Sequence, residues 1–172
     1  MPFDAALWLD KIEGESLATY DSKPDGLSKN PTDIYSFSFG ASNPTTVGSA
    51  SGGSGAGKVS VSSFHVMKKT DNASPMLFQA CCTGDHYEKA AVTLRKAGGK
   101  DNKQQTFLLY EFEQVFVDNI QWSGSTGGDD TPTESVSFSF GKVKVTNNPQ
   151  DKTGKVSKGT QGTWDLRTLT AT

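Results

Sequence analysis

Apolar and polar residues alternate along most of this chain, and that period of two constrains its fold more than any other feature. The odd-numbered positions from Phe3 to Leu9 are apolar, and aromatic rings alternate with serine from Tyr35 to Phe39. Successive side chains of a strand point to opposite faces, so each segment is predicted to be a strand with one buried face. Further strands are predicted at 59–66, 87–96, 104–117, 119–122, 136–145 and 164–166.

The alternation changes parity at two places. Around Ser62–Ser63 the apolar set moves from odd to even positions, and around Gly141–Lys142 it moves from even to odd. One extra residue in a strand lets the apolar set return to the core, so we predict a β-bulge at each place. Bulges bend strands, which helps a sheet curl towards closure.

One short segment has the signals of a helix. Ser74 is predicted to cap its first turn, Pro75 suits the first helical position, and Gly84 suits a left-handed stop. Its predicted buried stripe contains Met76, Leu77, Ala80 and Cys81. One helix among many strands favours a mainly β fold, an antiparallel barrel or sandwich, and 172 residues suit a single domain spanning 1–172.

Composition excludes several classes of protein. The 17 basic and 19 acidic residues are scattered, so no polybasic run predicts binding to nucleic acid. No apolar stretch approaches the roughly 18 residues of a membrane span, and the start at Met1 lacks the pattern of a secretory signal. Adjacent cysteines at 81 and 82 do not form an ordinary bridge. We therefore expect synthesis in the cytoplasm and no membrane insertion.

Motifs that carry chemistry are incomplete. The segment Gly52–Lys58 has the spacing of a phosphate-binding loop, but Val59 stands where a hydroxyl should bind magnesium, and a strand follows instead of a helix. The two histidines, His65 and His86, have no second ligand at metal-binding spacing. We therefore expect no enzyme, no catalytic residue, no cofactor and no metal site.

A long polar stretch is the strongest candidate for an interaction element. Residues 41–57 are rich in glycine, serine and threonine and lie between two strongly patterned strands. Loops of this length usually bind something or are disordered. Only 34% of the residues are hydrophobic and the mean hydropathy is -0.50, so association would bury surface that a single subunit leaves wet.

Several segments together resemble the Hcp family, the haemolysin-coregulated proteins of the type VI secretion system. They follow the family's order along nearly the whole chain, and their combination is more specific than any one of them. The segments are Ile12-Glu13-Gly14-Glu15-Ser16, the run Gly52 to Val61, Ala73-Ser74-Pro75 with Leu77, Leu94 to Gly99, Pro132-Thr133-Glu134-Ser135-Val136 and Thr163 to Leu166.

The resemblance implies an antiparallel β-barrel of two curved sheets with one short α-helix packed on it. It further implies a homo-hexameric ring that stacks into a tube, works with sheath and spike-tip proteins, carries effector proteins in its lumen and leaves the cell through the type VI machine. The implied subunit interface contains two segments: Ser51, Gly52, Gly53, Ser54, Gly55, Ala56, Gly57 and Lys58, and Pro132, Thr133, Glu134 and Ser135. Compared with the common pattern, Tyr20 to Pro31 is an insertion.

Two other hypotheses remain open from the sequence. One is a monomeric β-sandwich that binds carbohydrate, with Trp8 or Trp122 as an exposed stacking platform. The other is an enzyme that uses the phosphate-like loop, which predicts stabilisation by ATP and magnesium. Molar mass in solution separates a ring from both.

Overall fold

Six antiparallel strands close into a barrel, and a single helix is present in the part of the chain that is described. The computed structural model describes residues 3–44, 57–98, 103–128 and 130–172. Its elements are β1 (Asp4–Leu9), β2 (Thr32–Ser38), β3 (Ala41–Ser42), β4 (Ser60–Val61), β5 (Phe64–Lys69), α1 (Ser74–Thr83), β6 (His86–Gly98), β7 (Lys103–Ser123), β8 (Thr133–Asn147) and β9 (Thr160–Asp165). The barrel runs β5-β2-β1-β6-β7-β8 and closes where β8 pairs with β5. The predicted mainly β barrel is confirmed.

Strand β8 changes partner halfway along its length. Its first half pairs with β5, from Thr133 opposite Lys69 to Phe138 opposite Phe64. Its second half, from Lys142 to Asn147, pairs instead with β9. The hairpin that contains β2 and β5 bends away from β8 at this level and continues as the two-stranded ribbon β3–β4. Backbone bonds therefore close the barrel along one half of β8, while the other half leads to β9.

The barrel interior is built around one phenylalanine. Phe64 is completely buried, and the ring centroids of five aromatic side chains lie 5.1–5.6 Å from its own. Those five are Phe37, Phe39, Tyr110, Phe112 and Phe138. Offset and edge-to-face ring pairs add about 0.5–1.5 kcal/mol each beyond the area they bury. The aromatic strand pattern thus supplies the core of a chain with a low apolar share.

Both predicted bulges are wrong, although both parity changes are real. At Ser62–Ser63 the strand is interrupted, and the two sides belong to different sheets, β4 and β5. At Gly141 the register with β7 is the same on both sides, so no residue is inserted. Gln114, which lies opposite Gly141, has a φ of 55°. Both strands change face together at this level, which an alternation rule applied to one strand cannot distinguish from a bulge.

Other strand boundaries also differ from the predictions. The stretch predicted as a loop from residue 41 begins with β3, and residues 45–56 lie outside the described residues. The two strands predicted at 104–117 and 119–122 form one continuous β7, with a register shift between Val117 and Asn119. His86, expected to be a turn residue because it follows closely after Gly84, is instead the first residue of β6. The last strand begins at Thr160, four residues before Trp164. The prediction missed its first half because that half is polar and shows no alternation.

Helix α1 has the predicted end but not the predicted cap. Gly84 ends it in the left-handed conformation with a φ of 72°. The N-cap position is Ala73, and the Ser74 hydroxyl accepts a hydrogen bond from the Asp71 backbone N–H instead of capping the first turn. Leu77 and Ala80 are buried as predicted, whereas Met76 is 47% exposed.

Strand β1 is buried on both faces, although one buried face was predicted. Its outer face carries Trp8, which is 1% exposed and packs with Leu27 and Ala91. Tyr20 lies edge-on to Trp8, with ring centroids 4.8 Å apart, and the Trp8 indole N–H donates to Thr93 Oγ1 at 3.0 Å. The insertion from Tyr20 to Pro31 therefore covers this side of the barrel wall, and Trp8 cannot serve as an exposed platform for a sugar.

Candidate assembly surface

Within the first predicted contact segment, the backbone at Gly57 approaches the backbone at Pro44 closely, and we call this approach the neck. The Gly57 backbone N–H donates to the Pro44 carbonyl oxygen at 2.9 Å. A Cβ atom added to Gly57 would lie 2.3 Å from that oxygen, so only glycine permits this approach. Lys58 follows with an exposed side chain. Ser51, Gly52, Gly53, Ser54, Gly55 and Ala56 lie outside the described residues.

The second predicted segment lies at the start of β8. The Pro132 carbonyl oxygen accepts hydrogen bonds from the Thr70 backbone N–H at 3.0 Å and from the Thr70 hydroxyl at 3.2 Å. Pro132 is exposed, and Thr133 and Ser135 are half-buried. Ser135 lies opposite Met67 of β5, which is 42% exposed. Pro132, Thr133 and Ser135 therefore present accessible surface at this end of the barrel.

Glu134 does not belong with these three residues, and its prediction as a contact residue needs correction. Its side chain is completely buried and forms an ion pair through Oε1 with Lys68 Nζ, which is also completely buried. The Ser74 hydroxyl donates to the same Oε1 at 2.8 Å. Loss of either partner would leave an uncompensated charge in the interior, and the buried Glu134 side chain is not available to a neighbour.

The buried ion pair is part of a network that joins four elements, β2, β5, α1 and β8. Lys68 Nζ also contacts Asp71 Oδ1 at 2.8 Å and the Ser74 Oγ at 3.0 Å. Asp71 accepts the Ala73 backbone N–H at 3.0 Å and the Thr32 hydroxyl at 2.9 Å. The network thereby fixes the start of α1 to β5 and β8. A sequence signal existed, since Lys68 shares the parity of Phe64 and Val66.

Gly57 and Lys58, the described residues of the first segment, do not lie beside the second segment. Lys69 at the end of β5 lies opposite Thr133, while Phe64 at its beginning leads back through β4 to Gly57. Gly57 and Lys58 therefore lie towards one end of β5, and the second segment lies at the other end. A contact that repeats in one direction needs two different patches on each subunit, and separate positions satisfy that requirement.

The segment around Glu13, which resembles the family, has a structural role. The Glu13 carboxylate accepts the backbone N–H groups of Lys29 at 3.0 Å and Asn30 at 2.8 Å. These two hydrogen bonds hold the pKa of Glu13 below its ordinary value. A Cβ atom on Gly14 would lie 2.2 Å from the Pro31 carbonyl oxygen. The segment therefore clamps the end of the insertion against the barrel.

An exposed aromatic pair lies where α1 meets β7. Phe78 is 50% exposed, Trp122 is 43% exposed, and their ring centroids are 5.7 Å apart. Of these two residues, sequence reasoning had placed only Trp122 at the surface. Aromatic side chains are enriched in the centres of protein interfaces.

Other residues considered from the sequence form no site in the described ranges. His65 is exposed, as its parity opposite to Phe64 and Val66 predicts, and His86 packs beside Phe116 with ring centroids 5.4 Å apart. Within 3–44, 57–98, 103–128 and 130–172, no group of three potential metal ligands is clustered. No helix among these residues is long and apolar enough to cross a membrane. Cys81 and Cys82 are both free thiols.

Comparison with known proteins gives one consistent result. A family described as "Type VI secretion system effector, Hcp" matches residues 7–147. Protein hcp1 of Pseudomonas aeruginosa is 36% identical over 111 residues, which are 64% of this chain and 67% of that protein. A solved type six secretion system protein superposes with a TM-score of 0.85 at 31% identity, over 99% of this chain and 100% of the other. Hcp1 from Salmonella typhimurium gives 0.73 at 27% identity, over 100% of both chains.

Proposed function

The chain belongs to the Hcp family of type VI secretion proteins, and we propose that it acts as a structural subunit of the secretion tube. In this proposal six copies form a ring, rings stack into a tube, and effector proteins travel in the lumen. Sheath and spike-tip proteins of the machine are its further partners. The role is assembly and transport, without catalysis.

The positions of the two predicted contact segments carry this proposal. Gly57 and Lys58 lie beyond one end of β5, and Pro132, Thr133 and Ser135 lie at the other end. A ring or a stack needs one patch to meet a different patch on the next copy. The closed barrel between them is a rigid spacer, because its interior is close-packed around Phe64.

Molar mass in solution and electron microscopy test the proposal together. Six subunits of 18.4 kDa should give a particle of about 110 kDa at high protein concentration. Dilution should shift the population towards single subunits, because assembly obeys mass action. Micrographs of the concentrated protein should show annular particles. A particle that stays at the mass of one subunit at every concentration would contradict tube assembly.

A substitution at the neck tests the first contact segment. Gly57→Val forces the neck open, because the new side chain would overlap the Pro44 carbonyl. We expect the concentration for half-assembly to rise by about tenfold, the change that corresponds to roughly 1.4 kcal/mol. Gly127→Val is the matched control, since an added Cβ there meets no atom within 4 Å. If both variants assembled equally and unfolded at the same temperature, the neck would not be part of the subunit interface.

A further inference from the structure

The outer edge of β9 has backbone groups without partners in the described chain. The Asp165 N–H donates to the Thr170 carbonyl and the Thr170 N–H donates to the Asp165 carbonyl, so Asp165 points these groups away from β8. Backbone groups alternate in direction along a strand, so those of Thr163 and Gln161 point outwards too. β9 pairs with β8 alone. The edge therefore offers two N–H donors and two carbonyl acceptors.

An apolar groove lies directly beside this edge. It has a volume of about 360 Å³ and separates the ribbon β3–β4 from the inner face of β8 and β9. Its lining is Phe39, Ala41, Val59, Val61, Val143, Val145, Gly162, Thr163 and Trp164. The groove exists because the ribbon bends away where β8 exchanges β5 for β9.

One detail of the groove floor points to an incoming chain. At Gly162 an added Cβ would meet no atom within 4 Å, so the floor is open above the strand. An aliphatic side chain of a second chain fits this open space.

The size of the edge selects the kind of partner. Two outward-facing residues provide about four hydrogen bonds, each contributing about 0.5–1.5 kcal/mol. Stable contacts between folded proteins bury about 1,200–2,000 Å². A few backbone hydrogen bonds beside one apolar groove are instead the contacts that a single added strand makes. A short extended segment fits, since strand addition uses backbone bonds for affinity and side-chain pockets for selectivity.

We propose that the β9 edge is a docking site for an extended peptide segment with aliphatic residues at alternate positions. The segment adds as a strand beside Gln161 and Thr163 and inserts an aliphatic side chain into the groove above Gly162. This site goes beyond tube assembly, and its test is read separately from ring formation.

Hydrogen exchange of single amides tests the proposal on the full chain. Without a ligand, the Gly162 and Trp164 amides, which face β8, should exchange slowly, and the Gln161 and Thr163 amides should exchange fast. The probe is a short blocked peptide of alternating threonine and valine with a lysine at each end. At ten times its dissociation constant it should slow the Gln161 and Thr163 amides by about tenfold. The same peptide methylated on alternate backbone nitrogens should have no effect.

Two pairs of variants separate the edge from the groove. Thr163→Pro removes only the outward N–H, and proline is tolerated at such edge positions, while Thr163→Val keeps the N–H. Gly162→Leu places a side chain in the groove, and Gly127→Leu adds the same side chain elsewhere; an added Cβ meets no atom within 4 Å at either position. Protection at residue 161 should be lost in Thr163→Pro and Gly162→Leu and retained in their two controls.

Three results would overturn the proposal. The first is no protection of Gln161 and Thr163 by the peptide at any concentration. The second is equal protection by the methylated peptide. The third is protection of these amides by raising the concentration of the protein alone, together with a rise in molar mass, which would make the occupant a second copy. Ring formation is read separately from the mass, so the assembly proposal stands or falls independently.

Discussion

The two halves of β8 differ in their partner strand and in the side chains on their inner face. Along the half that pairs with β5, the barrel is closed and holds a completely buried lysine and glutamate, Lys68 and Glu134. Along the half that pairs with β9, the inner face is aliphatic and borders an open groove. A charge can be buried where β5 and α1 both supply partners, and the second half has no such partners. Charged side chains are therefore buried in the half of β8 where the barrel is closed, and apolar side chains line the half where it is open.

Removing one member of the buried ion pair should break the closed half. Glu134→Ala removes the buried carboxylate that pairs with Lys68, and we expect it to lower the free energy of unfolding by about 3–5 kcal/mol. Urea unfolding at neutral pH measures the change. The double variant Lys68→Met, Glu134→Leu should recover about 1–3 kcal/mol of that loss, because the two residues are coupled.

A half-exposed ion pair on the same barrel is the control. Glu111 and Lys144 join β7 and β8 with a separation of 2.6 Å, and their side chains are 34% and 37% exposed. Solvent screens such pairs, so Glu111→Ala should cost at most about 1 kcal/mol. If Glu111→Ala and Glu134→Ala were equally destabilising, burial would not distinguish the two pairs.

A close backbone approach at Gly159 should make the stability of the open half sensitive to substitution just before β9. Gly159 lies against the end of β8, and an added Cβ would lie 1.7 Å from the Asn147 carbonyl oxygen. Gly159→Ala must displace the start of β9, and we expect a loss of about 1–3 kcal/mol in thermal or urea unfolding. Gly162→Ala, three residues along, meets no atom and should change stability much less. The opposite ranking would mean that β9 is not held at this position.

The stability contributed by Asp165 at the end of β9 should be present at neutral pH and lost in acid. The Arg167 side chain, with the backbone N–H groups of Arg167 and Thr168, lowers the pKa of Asp165 well below its ordinary value. A carboxylate with a lowered folded pKa stabilises the fold above its unfolded pKa of about 3.9, and that contribution is lost as the pH falls towards the folded value.

Asp165→Asn should therefore destabilise the protein modestly at pH 7 and progressively less below about pH 4. Urea unfolding of both proteins across this range gives the comparison. Arg167→Gln should reproduce the same pH dependence, because it removes the largest cause of the lowered pKa. A constant difference between wild type and Asp165→Asn at every pH would mean that the ionised form has no special role.

Local rules predicted the elements of this fold better than its closure. Alternation found most strands, and Gly84 predicted the end of α1 because its left-handed conformation is a local property. The exchange of β5 for β9 along β8 depends on register between distant segments, which alternation in one strand does not encode. For this reason the parity changes at Ser62–Ser63 and Gly141 were misread as bulges.

Burial of a side chain was predictable only where the residue and those that cover it all lie in strands with apolar–polar alternation. Lys68 and Glu134 each occupy a core-facing parity, so their burial could have been inferred from the strands that carry them. Trp8 gave no such signal, because the residues that cover its outer face come from a segment without strand or helix periodicity. Leu27 and Tyr20 reach it only after the chain folds back across β1.

The cover over Trp8 also restricts how this chain can change over evolution. Glu13 and Gly14 anchor one end of the insertion, Tyr20 is held between Trp8 and the Arg95 guanidinium, and removal of the segment would expose a large indole on a bare wall. A shortened descendant must therefore replace the tryptophan in the same step or soon after. Length at residues 20–31 and side-chain size at position 8 should vary together among relatives.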